Sequence, residues 1–246
     1  MNRIKTLNLH LTNRCNMLCR HCLYSAGEKN IKEMTYEEIE GLINEFADLS
    51  KEEGTLNLFG GEVFLRKDIF DIIDLVLSRN LKIGITTNAN LPLKIIKKIC
   101  TKDINRLTVD IDGLKINHDW LRNKKGHFQQ SLRVIKYFIK NNKFVSSNII
   151  LYKNNIDEVE KILKLCSRLK IKSVSFYMFT PLGRGKNMMD LVIGPVEWKR
   201  TRIRIKSWIK KNKPKFSLIW ERSYEYKNIL SALRYSLCKG EPNDAI

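Results

Sequence analysis

No stretch of this chain approaches the roughly 20 consecutive apolar residues that a bilayer-spanning helix needs, so a helical membrane protein is not expected. The opening residues, Met1-Asn2-Arg3-Ile4-Lys5-Thr6-Leu7, carry neither a long apolar run nor a small-residue cleavage site, and no secretory signal is expected. Both absences point to a soluble, cytoplasmic protein with no membrane partner. Short-period repeats and low-complexity linkers are missing too, which excludes a solenoid or a beaded array. Acidic residues are scarce, 26 against 45 Lys and Arg, leaving a formal charge of +19. Such a charge favours acidic partners such as RNA, DNA, a membrane surface or an acidic peptide. The lysines are spread over nearly every helical stretch, however, so they read first as a solvated surface, and nucleic acid is not expected.

The chain has 246 residues, 43% of them hydrophobic, enough for one sizeable core. Single-domain α/β barrels commonly run to roughly 200–250 residues. Apolar periodicity alternates between the strand and helix patterns. Strands are predicted over Ile4–Leu11, Thr55–Phe59, Leu81–Thr87, Arg106–Ile111, Phe144–Leu151 and Ser173–Phe179. Helices are predicted over Thr35–Leu49, Asp68–Ser78, Pro92–Cys100, Phe128–Lys140 and Ile156–Leu169. Thr35 with Glu38 three residues on has the pattern of a capping box. Six strands alternating with helices imply a parallel sheet with crossover connections. The length leaves no room for eight such units plus the C-terminal stretch, so the expected fold is α/β, a partial (βα)6 TIM-like barrel.

Composition changes after about residue 190, dividing the chain into a barrel over 1–190 and a short basic extension over 191–246. Lys199–Lys215 holds nine basic residues and no acidic one, with Trp198, Thr201, Ile205, Trp208 and Ile209 on one helical face. This reads as an amphipathic helix packed on the barrel edge.

Of six cysteines, only Cys15, Cys19 and Cys22 are clustered. Clustered thiols in a reducing compartment bind metal more often than they form disulfides. Cys100 and Cys166 follow helical apolar patterns and read as small hydrophobes. Three thiolates on a four-iron cluster leave one iron open to a small molecule. A zinc site completed by His10 or His21 has compatible spacing. Further along, Gly60-Gly61-Glu62 places two glycines at a strand end, where backbone can approach a ligand closely, beside an acceptor for an ammonium group. Thr86-Thr87-Asn88-Ala89 ends the third strand with small polar side chains, which serve a ligand or an Asx-type turn. Asp110-Ile111-Asp112-Gly113 follows the fourth strand, with Arg122 able to pair a carboxylate through two hydrogen bonds and His118 read as a structural or surface histidine rather than a catalytic one. Tyr152 and Arg184, after strands five and six, contact a ligand or cap loops. All six segments fall just after strands, on the face where parallel α/β barrels build active sites. That favours an enzyme over a bare metal module.

Cys-x3-Cys-x2-Cys just after a first strand, with the later motifs in this order, resembles the radical S-adenosylmethionine (SAM) superfamily. The string Leu11-Thr12-Asn13-Arg14-Cys15-Asn16 resembles its branch of peptide maturases with SPASM-type tails and is also similar to the molybdenum-cofactor branch. The resemblance covers about residues 4–185. It implies a [4Fe–4S] cluster on Cys15, Cys19 and Cys22, with SAM held by Gly60, Gly61, Glu62, Thr87, Asn88, Asp110 and Arg122. Glu62 then meets the methionyl amine, and Arg122 the SAM carboxylate. Asp110 departs from the Ser common in that family, and a carboxylate there needs Arg122 as partner. The implied activity is reductive cleavage of SAM to a 5′-deoxyadenosyl radical that takes hydrogen from a peptide or a cofactor precursor. A reductant such as ferredoxin or flavodoxin supplies the electron, and an acidic peptide is a candidate substrate; no side chain is assigned a catalytic role of its own. Cys238-Lys239-Gly240 resembles the start of an auxiliary-cluster tail, but one cysteine holds no second cluster, and none is expected. The competing reading is a non-catalytic barrel whose metal or cluster is structural, with a basic tail for nucleic acid.

Overall fold

The computed structural model describes residues 4–28, 32–51 and 53–220; the expectation concerning Cys238 lies outside them. Seven strands form one sheet: β1 (Thr6–Thr12), β2 (Thr55–Gly60), β3 (Lys82–Thr87), β4 (Arg106–Val109), β5 (Val145–Leu151), β6 (Ser173–Met178) and β7 (Ser217–Trp220). They lie in sequence order, and each neighbouring pair is parallel. Parallel neighbours need a crossover. Helices α1 (Tyr36–Ser50), α2 (Ile69–Ser78), α3 (Leu93–Thr101), α4 (Lys115–Leu121), α5 (His127–Lys140), α6 (Val159–Arg168) and α7 (Pro195–Asn212) supply it. Among the described residues β7 does not return to pair with β1, so the barrel is open.

The strand period of two explains which face is which. Leu9 and Leu11, Leu56 and Leu58, Ile83 and Ile85, and Leu107 and Val109 alternate as buried residues and join one core with Ile39, Ile43, Ile72, Ile73, Ile99 and Ile135 of the helices. The intervening positions point the other way and are mostly polar: Asn8, His10, Asn57, Thr86, Arg106, Thr108, Ser146 and Asn148. Asn57 donates to Asn8 at 2.8 Å, Arg106 donates to Asn57 at 2.7 Å, and the Thr108 and Ser146 hydroxyls meet at 2.7 Å. A closed barrel fills its interior with branched apolar side chains. This inner face instead presents amides and hydroxyls, many of them half-buried.

The sheet holds seven strands, one more than the six read from periodicity. β7 is four residues long and follows the basic helix, too short to register as an alternation. The helix α4 also lies where the pattern predicts only a loop. Elsewhere boundaries differ by a residue or two, and α6 is preceded by a 3₁₀ turn, Ile156–Glu158. The basic helix α7 packs as its periodicity predicts: Trp198, Thr201 and Ile205 are buried, and Trp208 stacks on Phe216 with centroids 6.4 Å apart. Arg204 ties α7 to α6 through Glu160 at 2.6 Å. Cys166 is buried in the core and Cys100 packs against it, both as apolar side chains. Among the described residues, no helix is long and apolar enough to cross a membrane.

Helix α1 must start sharply, because the cysteine loop precedes it. Thr35 accepts from the Glu38 N–H at 3.2 Å, and the Glu38 carboxylate accepts from the Thr35 N–H at 2.8 Å, completing the capping box. Thr35→Ala is expected to cost about 1 kcal/mol, read as a lower urea midpoint at an unchanged slope.

Candidate active site

The loop after β1 carries Cys15, Cys19 and Cys22 as free thiols, Cys19 buried and the other two half-buried. It is closed by turn bonds of its own, Gly27 N–H donating to Asn13 O at 2.8 Å and Cys22 N–H to Cys19 O at 3.2 Å, and it is clamped by neighbours. Gly61 N–H donates to Thr12 O at 2.8 Å and Glu62 N–H to Arg14 O at 2.9 Å, joining the end of β2 to the start of the loop. Arg20 N–H donates to Leu121 O at 2.9 Å, tying it to α4. Arg184 reaches over from the loop after β6: its Nη1 and Nη2 donate to Cys19 O and Ala26 O, each at 2.7 Å, and its Nε to Glu28. Arg184 thus caps the cysteine loop, one of the two roles open to it from sequence. Glu33 accepts from the Thr12 hydroxyl, from Asn13 N–H at 3.3 Å and from Arg14 at 2.7 Å. Burial pushes the Glu33 carboxyl up, and these hydrogen bonds outweigh it to hold the group below its usual value.

Glycine is required where backbones touch. A Cβ on Gly61 would lie 2.2 Å from Arg14 O, and one on Gly60, which has φ +147, 2.4 Å from Thr12 O. Gly183, with φ +55, would place its Cβ 2.3 Å from Leu23 O and 2.4 Å from Cys22 O. The glycine pair after β2 therefore lies against the cysteine loop itself.

Glu62 is fully buried. Its carboxylate accepts from Phe64 N–H at 3.3 Å, from the Thr87 hydroxyl at 2.9 Å and from Asn88 N–H at 2.8 Å. Burial pushes its pKa up to about 7 despite these donors. The Asn88 side chain donates to Asn16 Oδ1 at 2.9 Å and to Cys15 Sγ at 3.6 Å. The ends of β2 and β3 and the first cysteine thus form one connected wall.

Arg122, at the C-terminal end of α4, is buried between two carboxylates. Its Nε donates to Asp112 at 2.6 Å and its Nη2 to Asp110 at 2.7 Å. Asp110 has the partner its sequence position requires, and Asp112 is a second one that sequence reasoning missed. Asp112 also accepts from Ile150 N–H at 3.0 Å. Burial would raise its pKa, but the Arg122 guanidinium beside it holds it low. At Asp110 burial prevails over Arg122, and the pKa is raised. Asp110 Oδ1 is buried and has no hydrogen-bond partner among the described residues.

His118 and His127, both buried, form a one-way chain. Asn88 O only accepts, so His127 Nε2 donates to it at 2.8 Å. His127 Nδ1 then accepts from His118 Nε2 at 2.9 Å, and His118 Nδ1 accepts from Asp112 N–H at 3.1 Å. Both rings are neutral in this arrangement, and burial agrees, lowering them to about 3 for His118 and about 4 for His127. Of the two readings the sequence leaves for His118, structural or surface, burial removes the second; His127, a lone His at a helix start, carries no motif. Tyr152 is fully buried, donating from its hydroxyl to Asn117 O at 3.1 Å.

This arrangement fits an iron–sulfur cluster with an organic ligand beside it. Three free thiols share one clamped loop, and burial leaves Cys19 protonated with a pKa of about 11, the state a thiol leaves when it binds metal. Among the described residues, no three His, Cys, Asp or Glu side chains converge as a single metal ion requires. A cluster is a larger body, its thiolates binding different irons. Buried polar atoms without hydrogen-bond partners among the described residues, His10 Nε2, His21 Nδ1, Arg106 Nε and Asp110 Oδ1, mark the loop and the inner face as surfaces made for a polar ligand.

The chain belongs to the Radical SAM superfamily, whose family model matches residues 9–166. It is similar to the AdoMet-dependent heme synthase of Methanosarcina barkeri, 30% identical over 193 residues, which are 77% of this chain and 54% of that protein. It is also similar to the antilisterial bacteriocin subtilosin biosynthesis protein AlbA of Bacillus subtilis, 26% identical over 185 residues, covering 73% of this chain and 40% of that protein. In fold it is similar to Streptococcus suis SuiB, with a TM-score of 0.76 and 16% identity for the S-adenosylmethionine-bound structure, over 88% of this chain and 50% of that one. SuiB bound to its precursor peptide SuiA matches with a TM-score of 0.74 and 16% identity, over 88% of this chain and 48% of that one. The chain spans about half the length of the curated relatives it matches. Family membership implies an iron–sulfur cluster and SAM as cofactors.

Two outcomes follow from this geometry. Gly183→Ala forces a side chain into a left-handed conformation at about 1–2 kcal/mol and against the Cys22 carbonyl, so thiol reagents are expected to label Cys19 faster in the apoprotein. Because His118 and His127 titrate far below the unfolded value near 6.5, they stay neutral on folding, and acid favours the unfolded chain, which binds their protons. Stability from this pair is complete above pH 6.5 and falls as pH drops toward 4. Urea titrations across that window are expected to show a shallower loss in the His118→Gln/His127→Gln chain.

Proposed function

We propose that this chain is the catalytic barrel of a radical SAM enzyme, holding one [4Fe–4S] cluster on Cys15, Cys19 and Cys22 and acting on a peptide. The observation that carries the reading is the clamped loop with three free thiols, set against the ends of β2, β3 and β4. When bound, the cluster and SAM supply an electron and a 5′-deoxyadenosyl radical that takes a hydrogen atom from the substrate.

The chain's own residues hold and orient. A carboxylate has about four lone-pair sites; Glu62 uses three on Phe64, Thr87 and Asn88, leaving one for the SAM amine. Gly60 and Gly61 bring the β2 backbone to the same place. Thr87 and Asn88 line the wall beside it. Arg122 holds Asp110 paired, so that it does not repel the SAM carboxylate, and directs positive charge at that group. The proposed division is a barrel over 1–190 and an extension over 191–246, whose described part adds α7 and β7 to the sheet.

The peptide reading is supported by the inner face of amides and hydroxyls and by the similarity to SuiB and AlbA. The similarity to a heme synthase favours a cofactor precursor as second choice. A ferredoxin- or flavodoxin-type donor in the cytoplasm provides the electron. Nucleic acid is not part of the proposal: of the aromatic residues near the basic helix, Trp198 and Phe216 are buried, and the half-buried Trp208 stacks on Phe216.

Anaerobic reconstitution tests the cluster. The expected content is about four irons per chain, lost in the Cys15→Ala, Cys19→Ala or Cys22→Ala proteins and kept in Cys100→Ala and Cys166→Ala. Full iron content in Cys19→Ala would overturn the assignment. The SAM contact makes a separate expectation. Glu62→Gln removes one charge-assisted hydrogen bond of about 1.5–3 kcal/mol, so SAM affinity should fall by a factor of about 10–100 with the iron content unchanged. In the parent protein SAM binding should also weaken below pH 7, as Glu62 takes up a proton, and equilibrium dialysis at pH 6 and pH 8 should show that dependence lost in Glu62→Gln.

A further inference from the structure

We propose that His118 and His127 are positioning residues whose hydrogen-bond chain aims the Asn88 amide at the Cys15 sulfur, and that this contact raises the reduction potential of the cluster. The inference rests on the cluster assignment above and adds to it a tuning device that starts outside the cysteine loop.

The chain has a fixed direction. It begins at Asp112 N–H, passes through His118 and His127, and ends on Asn88 O, over contacts of 3.1, 2.9 and 2.8 Å. Each ring accepts on Nδ1 and donates on Nε2, and the terminal carbonyl permits no reversal. The imidazole planes lie within 4° of parallel, as a rigid strut between the β4–α4 connection and the end of β3. Two buried imidazoles are an unusual choice for a spacer, because an apolar pair would fill the same volume without polar atoms to satisfy. What an apolar pair cannot do is grip a backbone carbonyl.

Asn88 is the residue gripped, and each of its polar groups is committed. Its N–H goes to Glu62 at 2.8 Å, its Oδ1 accepts from Asn90 N–H at 2.8 Å, and its side-chain amide divides between Asn16 Oδ1 at 2.9 Å and Cys15 Sγ at 3.6 Å. With O, N and Oδ1 all fixed, the amide has one orientation, and its hydrogens face the loop. Donors to a cluster sulfur stabilise the more negative, reduced state and so raise the potential. Partners one step out from a metal ligand act by orienting the groups that touch it. His127 stands one step beyond Asn88, and His118 two.

The test is an EPR-monitored redox titration of anaerobically reconstituted full-length chains, with iron content measured on each. Asn88→Asp keeps the shape and backbone contacts, replaces the donor with an acceptor and adds a negative charge, and both changes should move its midpoint to more negative potential; the uncharged His127 variants separate the donor from the charge. His127→Leu should move it the same way by less, because the Asn88 amide remains but is no longer held. His127→Gln, which can donate to Asn88 O and accept from His118, should restore most of the parent value, a rescue that general packing would not give. A fully loaded Asn88→Asp chain at the parent potential overturns the proposal. So does a loaded His127→Leu chain at the parent potential, or a His127→Gln chain as displaced as His127→Leu. A parent chain that binds no iron overturns the cluster assignment itself, and this proposal with it.

Discussion

The cysteine loop has almost no secondary structure of its own, so its shape depends on how closely neighbouring backbones can approach it. Gly61 meets Arg14 O, Gly60 meets Thr12 O and Gly183 meets the carbonyls of Cys22 and Leu23, all at separations that leave no space for a Cβ. Those approaches bring the ends of β2 and β6 to the loop that leaves β1. Arg184 then satisfies two loop carbonyls with a charged, planar donor, where a flexible lysine would serve one at a time. A cluster ligand set needs three sulfurs held in fixed relation, and here the barrel's contacts add to the loop's own turn bonds to hold them.

Behind the loop lies a set of buried charges with the same logic. Arg122 is held by Asp110 and Asp112, and leaving either carboxylate alone in that environment would cost about 3–5 kcal/mol. The trio joins α4 to β4, and α4 joins the cysteine loop through Leu121 O. Asp110 keeps one oxygen without a hydrogen-bond partner among the described residues while its other oxygen is paired, an arrangement suited to a ligand-facing wall. Glu62 is similar: buried, with three donors and capacity for one more. Stability and ligand binding therefore draw on the same groups, and the strand ends resist replacement for two reasons at once.

Most of the architecture was legible beforehand because parallel strands and their covering helices have different apolar periods. Leu56 and Leu58 or Ile83 and Ile85 alternate, whereas Ile69, Ile72, Ile73 and Val76 recur at helical spacing, and the fold places them accordingly. The exceptions were short or polar. β7 offers only Ser217-Leu218-Ile219-Trp220, and α4 is seven residues with its polar positions committed to neighbours, so neither carries a period long enough to read. The cysteine motif, the glycine pair, Glu62, Asp110 and Arg122 were visible as residues. Their partners were not: Arg184 lies 165 residues from Cys19, and Asn88 lies 73 from Cys15.

By itself the sequence determined the order of the first six strands and of the helices other than α4, and the three thiols with their spacing, since all of these are properties of local pattern. It also determined that the chemistry-bearing segments follow strands. Only the tertiary structure decided that the paired glycines serve the cysteine loop, that one arginine answers two aspartates, and that two histidines lock an asparagine against a thiol. Those outcomes depend on the parallel sheet bringing strand ends together from distant parts of the chain. Close approach and burial, and the hydrogen-bond direction they impose, exist only once that has happened.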